Sequence, residues 1–172
     1  MGLRSKLIAV VFAAVCAIGA SPANAAERPA PNFAGINKWL NSQPLNMAAL
    51  RGKVVLVNFW TYGCINCVRT LPHVTRMHAT YKDKGLVVVG VHTPEFPWER
   101  PLGNVETALK RHGIQYAVAQ DNDHATWNAY RNQYWPAQYI IDKSGRIAFQ
   151  HFGEGNHAAI EQTIRRLLET GN

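Results

Sequence analysis

The chain is poor in cysteine, with three among 172 residues, and it has only 11 acidic residues against 18 lysines and arginines. Because the basic residues are scattered, no basic run predicts a nucleic-acid or membrane-binding patch. The apolar run at 7–20 is shorter than the ~20 residues that a membrane-spanning helix needs. These deficits argue against a disulfide-stapled scaffold, a nucleic-acid-binding protein and a membrane-spanning protein.

The first 25 residues have the three-part pattern of a secretory signal. Arg4 and Lys6 form a basic start, the apolar run follows, and residues 23–25 (Ala-Asn-Ala) supply a small-residue cleavage site. We therefore expect a signal peptide over 1–25, cleavage after it, and export. A retained membrane anchor is the alternative, and the short apolar run argues against it.

Residues 26–172 are enough for one domain of ordinary size. Two prolines and the absence of periodicity predict an extended arm over 26–36, so the domain occupies 37–172. Two short extended pieces around a turn at 41–44 predict an N-terminal hairpin extension.

Apolar runs at 53–60 and 85–92 predict strands that are buried on both faces. A short strand follows at 114–121, and a hairpin is expected over 137–152. Helices are predicted at 64–82, 104–113, 124–133 and 156–170, the last with an apolar face formed by Ala159, Ile160, Ile164, Leu167 and Leu168. This order predicts an α/β domain with a mixed sheet, parallel in the middle with an antiparallel hairpin at the edge, flanked by helices.

The segment "FWTYGCINCVRTLP" (59–72) holds both cysteines of the expected mature chain, Cys64 and Cys67. A disulfide across two intervening residues closes a very small loop and removes little entropy from the unfolded chain. The pair is therefore better explained by chemistry than by stapling.

Cys64 follows a buried strand and opens a helix, where unpaired N–H groups and the helix dipole favour a thiolate. We expect its pKa to be lowered, although Ile65 and Asn66 add no cation. Cys67 lies about one turn further along the same face, so it can close onto Cys64 and is expected to be less exposed. This is the geometry of an attacking and a resolving cysteine.

A metal site is the second interpretation, with His73 or His78 as a further ligand and a metallochaperone as the function. A structural zinc site usually has four ligands, and the chain has no second CxxC. His73 also diverges from the helix face of the pair. The metallochaperone stays an alternative.

Three segments resemble a known family: "VVLVNFWTYGCINCVRTLP", "YWPAQYIIDKSGRI" and "GEG". They are similar to thioredoxin-like periplasmic oxidoreductases of the TlpA and ResA type, and most of all to the thioredoxin-like domains of DipZ-type proteins. The resemblance runs from Trp39 to Leu168. It implies a thioredoxin fold, no bound cofactor, and thiol–disulfide exchange with protein thiols or disulfides.

The resemblance also implies that Cys64 attacks, that Cys67 resolves, and that a cis peptide bond before Pro136 faces the disulfide. From the predicted signal peptide we expect a periplasmic protein without stable membrane insertion after cleavage. We also expect a monomer, with a membrane protein as one option for the electron donor. The rim around the pair, where substrate binds, is expected to comprise Trp60, Tyr62, Trp135 and Pro136.

Two positions depart from the relatives. Thioredoxin has a buried Asp where this chain has Asn58, and ResA-like reductants often have a Glu where it has Thr70. Proton transfer must then use another group, and Glu95 in the loop after the second strand is the candidate. A dedicated role in cytochrome maturation is in doubt.

A thiol peroxidase of the peroxiredoxin type is the third interpretation, because those enzymes share the broad fold. Their "PxxxTxxC" arrangement is matched here by Thr61 and Cys64, but Val57 stands where the proline is expected.

Overall fold

The computed structural model describes residues 28–170 of the chain. The predicted signal peptide and its cleavage site lie outside the described residues. The strands in this part are β1 (Lys38–Leu40), β2 (Val54–Trp60), β3 (Leu86–His92), β4 (Ala117–Gln120), β5 (Ala137–Ile141) and β6 (Ile147–Phe152). The α-helices are α1 (Ile65–Tyr81), α2 (Leu102–Arg111), α3 (Ala125–Ala129) and α4 (His157–Glu169), with 3-10 turns at Lys82–Lys84 and Pro97–Glu99.

The strands form one mixed sheet in the order β1-β4-β3-β2-β5-β6. The three central strands β4, β3 and β2 are parallel, whereas β5 runs antiparallel to β2 and forms a hairpin with β6. The predicted mixed sheet, with its parallel centre and its antiparallel hairpin at one edge, is confirmed.

The predicted N-terminal hairpin extension is wrong. Among residues 28–53 the structure has a single strand, β1, and it pairs with β4 at the far edge of the sheet. The reason is that β4 would otherwise be an unpaired edge of the sheet, and β1 satisfies its backbone groups by pairing in the antiparallel direction. The second of the two extended pieces expected around residues 41–44 forms hydrogen-bonded turns over residues 47–53 instead of a strand.

The central strand β2 is buried along its full length, as its continuous apolar sequence predicts. Its side chains alternate between two cores because successive residues of a strand point to opposite faces. One core packs β2 against α1, α2 and α4, and the other packs it against α3 and residues 33–50. The helices therefore cover both faces of the sheet.

Residues 28–36 have no regular element and lie along the domain rather than away from it. Pro29 bridges to Arg146, Ala30 donates its N–H to the carbonyl of Gly145, and Ala34 donates to the hydroxyl of Thr126 at 2.9 Å. The separate arm over 26–36 stays a prediction. None of the helices among residues 28–170 is long and apolar enough to cross a membrane.

The register brings three loops to one edge of the sheet. Trp60 pairs with His92 at the carboxyl ends of β2 and β3, and Phe59 pairs with Ala137 at the start of β5. The cysteine turn after β2, the loop after β3 and the segment before β5 therefore meet at this edge.

Replacing Ile164 with alanine tests the packing of α4. Ile164 is fully buried, whereas Gln162 on the same helix is exposed. Ile164→Ala should lower the free energy of unfolding by roughly 2–5 kcal/mol through lost contacts and a cavity. Gln162→Ala should change it by less than about 0.5 kcal/mol. Equilibrium urea unfolding measures both, and equal losses would contradict the described packing.

Candidate active site

Cys64 lies where β2 gives way to α1. Residues 61–63 form the turn, and Cys64 is the N-cap of the helix with an extended backbone, φ −85° and ψ 116°. Its Sγ accepts the backbone N–H of Cys67 at 3.3 Å. The side chain is half-buried, so it has a backbone donor on one side and solvent on the other.

Cys67 occupies the next turn of α1, and its side chain is fully buried in the core. Burial and a hydrogen bond with Cys64 raise the pKa of Cys67 far above that of a free thiol, and the charge of Glu99 adds to this. A backbone hydrogen bond from Thr61 acts in the opposite direction. The prediction that Cys67 is the less exposed of the two is confirmed, and both carry free thiols.

The loop after β3 carries a buried carboxylate, Glu99. Its Oε1 accepts the backbone N–H of Gly63 at 3.0 Å. Its Oε2 accepts the N–H groups of Glu95 at 2.6 Å and Phe96 at 2.9 Å. Because one donor belongs to the cysteine turn and two belong to its own loop, Glu99 joins the two segments.

Two further contacts hold this loop against the turn. The hydroxyl of Tyr62 donates to the carbonyl of Trp98 at 2.7 Å. The Trp98 ring lies so close to Gly63 that a Cβ at position 63 would overlap it and the carboxylate of Glu99. Glycine is thus required at 63 by the close approach of its neighbours, and not by an unusual backbone conformation.

His92 ends β3 and is buried behind the turn. Its ring stacks on Tyr62 at 5.5 Å and meets the edge of Trp60 at 5.2 Å between centroids, and its Nε2 lies 3.4 Å from Oγ1 of Thr61. Burial lowers the pKa of His92 to about 4, although the charge of Glu99 opposes this shift. His92 is therefore neutral at pH 7. Sequence reasoning missed His92. Its place at the carboxyl end of a predicted buried strand, the edge that also carries the cysteine turn, is the signal that could have found it.

Asn58 and Thr70, the two positions that depart from the relatives, have side chains that do not titrate. Oδ1 of Asn58 lies 3.4 Å from Nε2 of Gln138, and the hydroxyl of Thr70 donates to the carbonyl of Asn66 at 2.9 Å. The carboxylate that acts on Cys67 comes instead from the loop after β3, as Glu99.

The predicted candidate for proton transfer, Glu95, has an exposed side chain. Only its backbone N–H contacts the buried carboxylate of Glu99. Its proton role stays a prediction. Sequence reasoning missed Glu99, although Pro97 at the first position of a helical turn and Glu99 at the third form a recognisable N-terminal cap around Phe96.

The peptide bond between Trp135 and Pro136 is cis, as the resemblance implied. The indole N–H of Trp135 donates to the carbonyl of Thr93 at 2.9 Å, and its ring packs on Trp127 with 4.1 Å between centroids. Pro136 is buried directly before β5. The structure therefore brings this segment to the edge that carries Cys64.

The two aromatic residues near the turn differ in exposure. Tyr62 is partly exposed, and it packs against the same hydrophobic core as Cys64. Trp60 is completely buried in the core next to His92. A fully buried ring cannot touch a partner docked on the surface, so the predicted substrate contact of Trp60 is not supported.

Among the described residues, the exposed large apolar side chains lie on segments that lead to the sheet edge carrying Cys64. Ile65 follows Cys64, and its side chain is 60% exposed. The other exposed side chains are those of Phe96 and Trp98 on the loop after β3, Tyr134 before the cis bond, and Phe152, which contacts Tyr134 at 5.5 Å. Apolar patches of this kind mark interaction sites more often than scattered single residues do.

The two histidines considered as metal ligands have contacts of their own. His73 stacks on His157 with 3.5 Å between centroids, and His78 meets Tyr116 at 5.8 Å. Within residues 28–170, no three His, Cys, Asp or Glu side chains are grouped as a metal site requires.

Gly63→Ala tests the close packing at the turn. The added methyl group would displace Trp98 and Glu99, so we expect a loss of roughly 1–3 kcal/mol in the free energy of unfolding. Gly103 in α2 has nothing within 4 Å of an added Cβ, so Gly103→Ala should be neutral or stabilising by up to about 1 kcal/mol. Thermal and urea unfolding compare the two. A loss at Gly103 equal to that at Gly63 would contradict the packing.

His92→Gln tests the buried neutral histidine. Between the ordinary pKa of 6.5 and the folded value of about 4, the unfolded chain binds a proton that the folded protein excludes. Stability is therefore full above ~6.5 and falls as the pH drops toward ~4. Wild type should lose on the order of 3 kcal/mol more than the variant between neutral pH and the folded pKa. Urea titrations at both pH values check this, and an identical loss in both proteins would contradict it.

Comparisons with known proteins agree with this geometry. A sequence model described as the AhpC/TSA family matches residues 26–150. Protein DipZ of Mycobacterium tuberculosis is 49% identical over 142 residues, which cover 81% of this chain and 20% of DipZ. The chain thus spans about a fifth of the length of that relative.

The thiol-disulfide oxidoreductase YkuV of Bacillus subtilis is 30% identical over 142 residues, which cover 83% of this chain and 95% of YkuV. A solved structure described as a thioredoxin-like protein in the oxidized form has a TM-score of 0.75 at 31% identity and covers 83% of this chain and 95% of its own. The resemblance and the thioredoxin fold expected from the sequence are confirmed. The chain belongs to the AhpC/TSA family, among relatives that are thiol–disulfide oxidoreductases.

Proposed function

We propose that this protein is an exported thiol–disulfide oxidoreductase that exchanges disulfides with protein partners through Cys64 and Cys67. The observation that carries the proposal is the unequal exposure of the pair. Cys64 is reachable at the start of α1, whereas Cys67 is buried one turn later with its N–H on the sulfur of Cys64. The identity to YkuV, which covers nearly the whole of that oxidoreductase, supports it.

The exchange proceeds in two steps. The thiolate of Cys64 attacks one sulfur of a partner disulfide, a new S–S bond joins Cys64 to the partner, and the other partner sulfur leaves as a thiolate. Cys67 then loses its proton and attacks the sulfur of Cys64, so the Cys64–Cys67 disulfide forms and the second partner thiolate leaves. Two electrons pass from the pair to the partner, and the reverse sequence oxidises a partner dithiol.

The surroundings of Cys64 support a polypeptide as the partner. Ile65, Phe96 and Trp98 offer exposed apolar area on one side, with Tyr134 and Phe152 forming a second patch. Tyr62 lies two residues before Cys64 in the turn, and the segment Trp135–Pro136 contributes backbone at the same edge of the sheet. An extended segment with apolar side chains near its cysteine fits such a surface.

The proposed place of action rests on the predicted signal peptide. The three-part pattern over residues 1–25 supports export, and we propose the periplasm as the compartment and a monomer as the active form. A membrane protein is the proposed source of electrons if the pair acts as a reductant. The direction depends on the reduction potential of the pair against that of its partner, where about 30 mV corresponds to ~1.4 kcal/mol.

Single replacements of the two cysteines test the proposal. Wild type should accelerate the reduction of insulin by dithiothreitol, and Cys64→Ser should abolish the acceleration because the accessible nucleophile is gone. Cys67→Ser should keep the attack but lose release, so covalent partner adducts accumulate on Cys64. Mass spectrometry of Cys67→Ser isolated from the exporting cell would identify those adducts and their partners.

The same proteins separate the alternatives. Adducts that form through Cys67 in Cys64→Ser, and not through Cys64 in Cys67→Ser, would reverse the roles of the cysteines. Efficient peroxide consumption without insulin reduction would favour the peroxidase. Stoichiometric metal on the protein purified in reduced form would favour the metallochaperone.

A further inference from the structure

A second buried carboxylate, Asp121, follows β4 directly and has no place in the exchange as described so far. Its side chain is fully buried, and its three hydrogen-bond donors lie in two segments that both contact Trp135. We propose that Asp121 is a positioning residue that fixes Trp135 relative to Cys64, so that a polypeptide bound at Trp135 presents its disulfide to the sulfur of Cys64. This inference rests on the proposed function, because it concerns how the partner is held during the exchange.

The first segment is the loop after β3, where Thr93 makes three contacts. Its hydroxyl donates to Oδ2 of Asp121 at 3.2 Å, and its carbonyl accepts the indole N–H of Trp135 at 2.9 Å. Its own N–H donates to the carbonyl of Trp60 at 3.1 Å, directly before the cysteine turn. Thr93 therefore joins Trp135 to the end of β2 that carries the turn, and Asp121 fixes the side chain of Thr93.

The second segment is the start of α3. Oδ1 of Asp121 accepts the N–H of Thr126 at 3.1 Å, and Oδ2 accepts the N–H of Trp127 at 2.9 Å. The ring of Trp127 packs on that of Trp135 with 4.1 Å between centroids. One carboxylate thus holds both the polar contact and the ring contact of Trp135.

Trp135 transmits this positioning to the surface. Its side chain is partly buried and packs against both cores of the sheet. Pro136 and β5 follow directly, and the first residue of β5 pairs with Phe59 beside the cysteine turn. Displacement of Trp135 would therefore move the backbone that a partner segment meets, whereas Cys64 stays fixed as the N-cap of α1.

The donors around Asp121 require two accepting oxygens. All three groups donate, and two of them are backbone N–H groups, which cannot accept. An asparagine at 121 would turn its NH2 group toward the N–H of either Thr126 or Trp127, whichever way its amide lies. A buried donor would then lose its partner, which is costly. Asparagine therefore does not replace Asp121.

Thr93→Val separates positioning from general stability. Valine keeps the branched shape and the backbone contacts of Thr93, and it removes only the hydroxyl that donates to Asp121. Thr126→Val is the matched control, because Thr126 is equally buried and its hydroxyl exchanges hydrogen bonds with the backbone of Ala34 instead. The control keeps the backbone N–H that reaches Asp121. Since Thr126→Val loses two hydrogen bonds and Thr93→Val one, urea unfolding should show the control to be at least as destabilised.

The measurement compares a polypeptide disulfide with a small one. Reduced protein is mixed with excess insulin or with Ellman's reagent, and its loss of free thiols over time gives a second-order rate constant for each. We expect Thr93→Val to lower the rate constant with insulin by about three- to tenfold, the effect of one lost hydrogen bond, and to leave that with Ellman's reagent within about twofold. Thr126→Val should leave both within about twofold of wild type.

Two further variants test the route. Trp135→Phe removes the indole N–H that Thr93 accepts, so adding Thr93→Val to it should cause little further loss with insulin, because both changes break the same connection. Asp121→Asn should lower the rate with insulin at least as much as Thr93→Val does. Thr93→Val leaves both α3 donors on Asp121, which keeps the test available if Asp121→Asn does not fold.

Three results would overturn the inference. Equal losses with insulin in Thr93→Val and Thr126→Val would make the effect one of stability alone. An equal loss with Ellman's reagent and insulin in Thr93→Val would place the effect at Cys64 itself, and a full additional loss in the double variant would exclude a route through Trp135. If wild type does not reduce insulin, the proposed function fails first, and this inference falls with it.

Discussion

The hydrogen bond between the N–H of Gly63 and the carboxylate of Glu99 is the contact on which the geometry of the site depends. It joins the turn after β2 to the loop after β3. Because the two segments approach so closely, the Trp98 ring lies against position 63, and only glycine fits there. The same carboxylate holds its own loop through Glu95 and Phe96. One buried side chain thus organises the surroundings of Cys64.

The chemistry of the pair depends on an unequal environment for two identical groups. The sulfur of Cys64 faces solvent at a helix start, whereas that of Cys67 lies in the hydrophobic core, where burial opposes ionisation. An accessible sulfur can meet a partner, and a buried one can reach only the sulfur that its own helix brings close. In the proposed exchange, this difference places the step at Cys64 before the step at Cys67.

The sheet and the position of the cysteines were predictable from local pattern, because apolar runs such as 53–60 and a helix start after a tight turn are local signals. The pairing of β1 with β4 was not, since it depends on which sheet edge is left open by residues some 80 positions away. Sequence pattern also could not show that Glu99, and not Glu95, is the buried carboxylate of its loop. That depends on how closely the loop approaches Gly63, whose N–H donates to Glu99. The burial of Trp60 likewise follows from the central place of β2, which only the assembled sheet determines.

The most direct test of the unequal pair is alkylation of the reduced wild-type protein with iodoacetamide, followed by peptide mapping over time. The account predicts that Cys64 is modified first under native conditions and that Cys67 reacts at a comparable rate only after denaturation, because its side chain is fully buried. Equal native rates at the two sulfurs, or faster modification of Cys67, would contradict it.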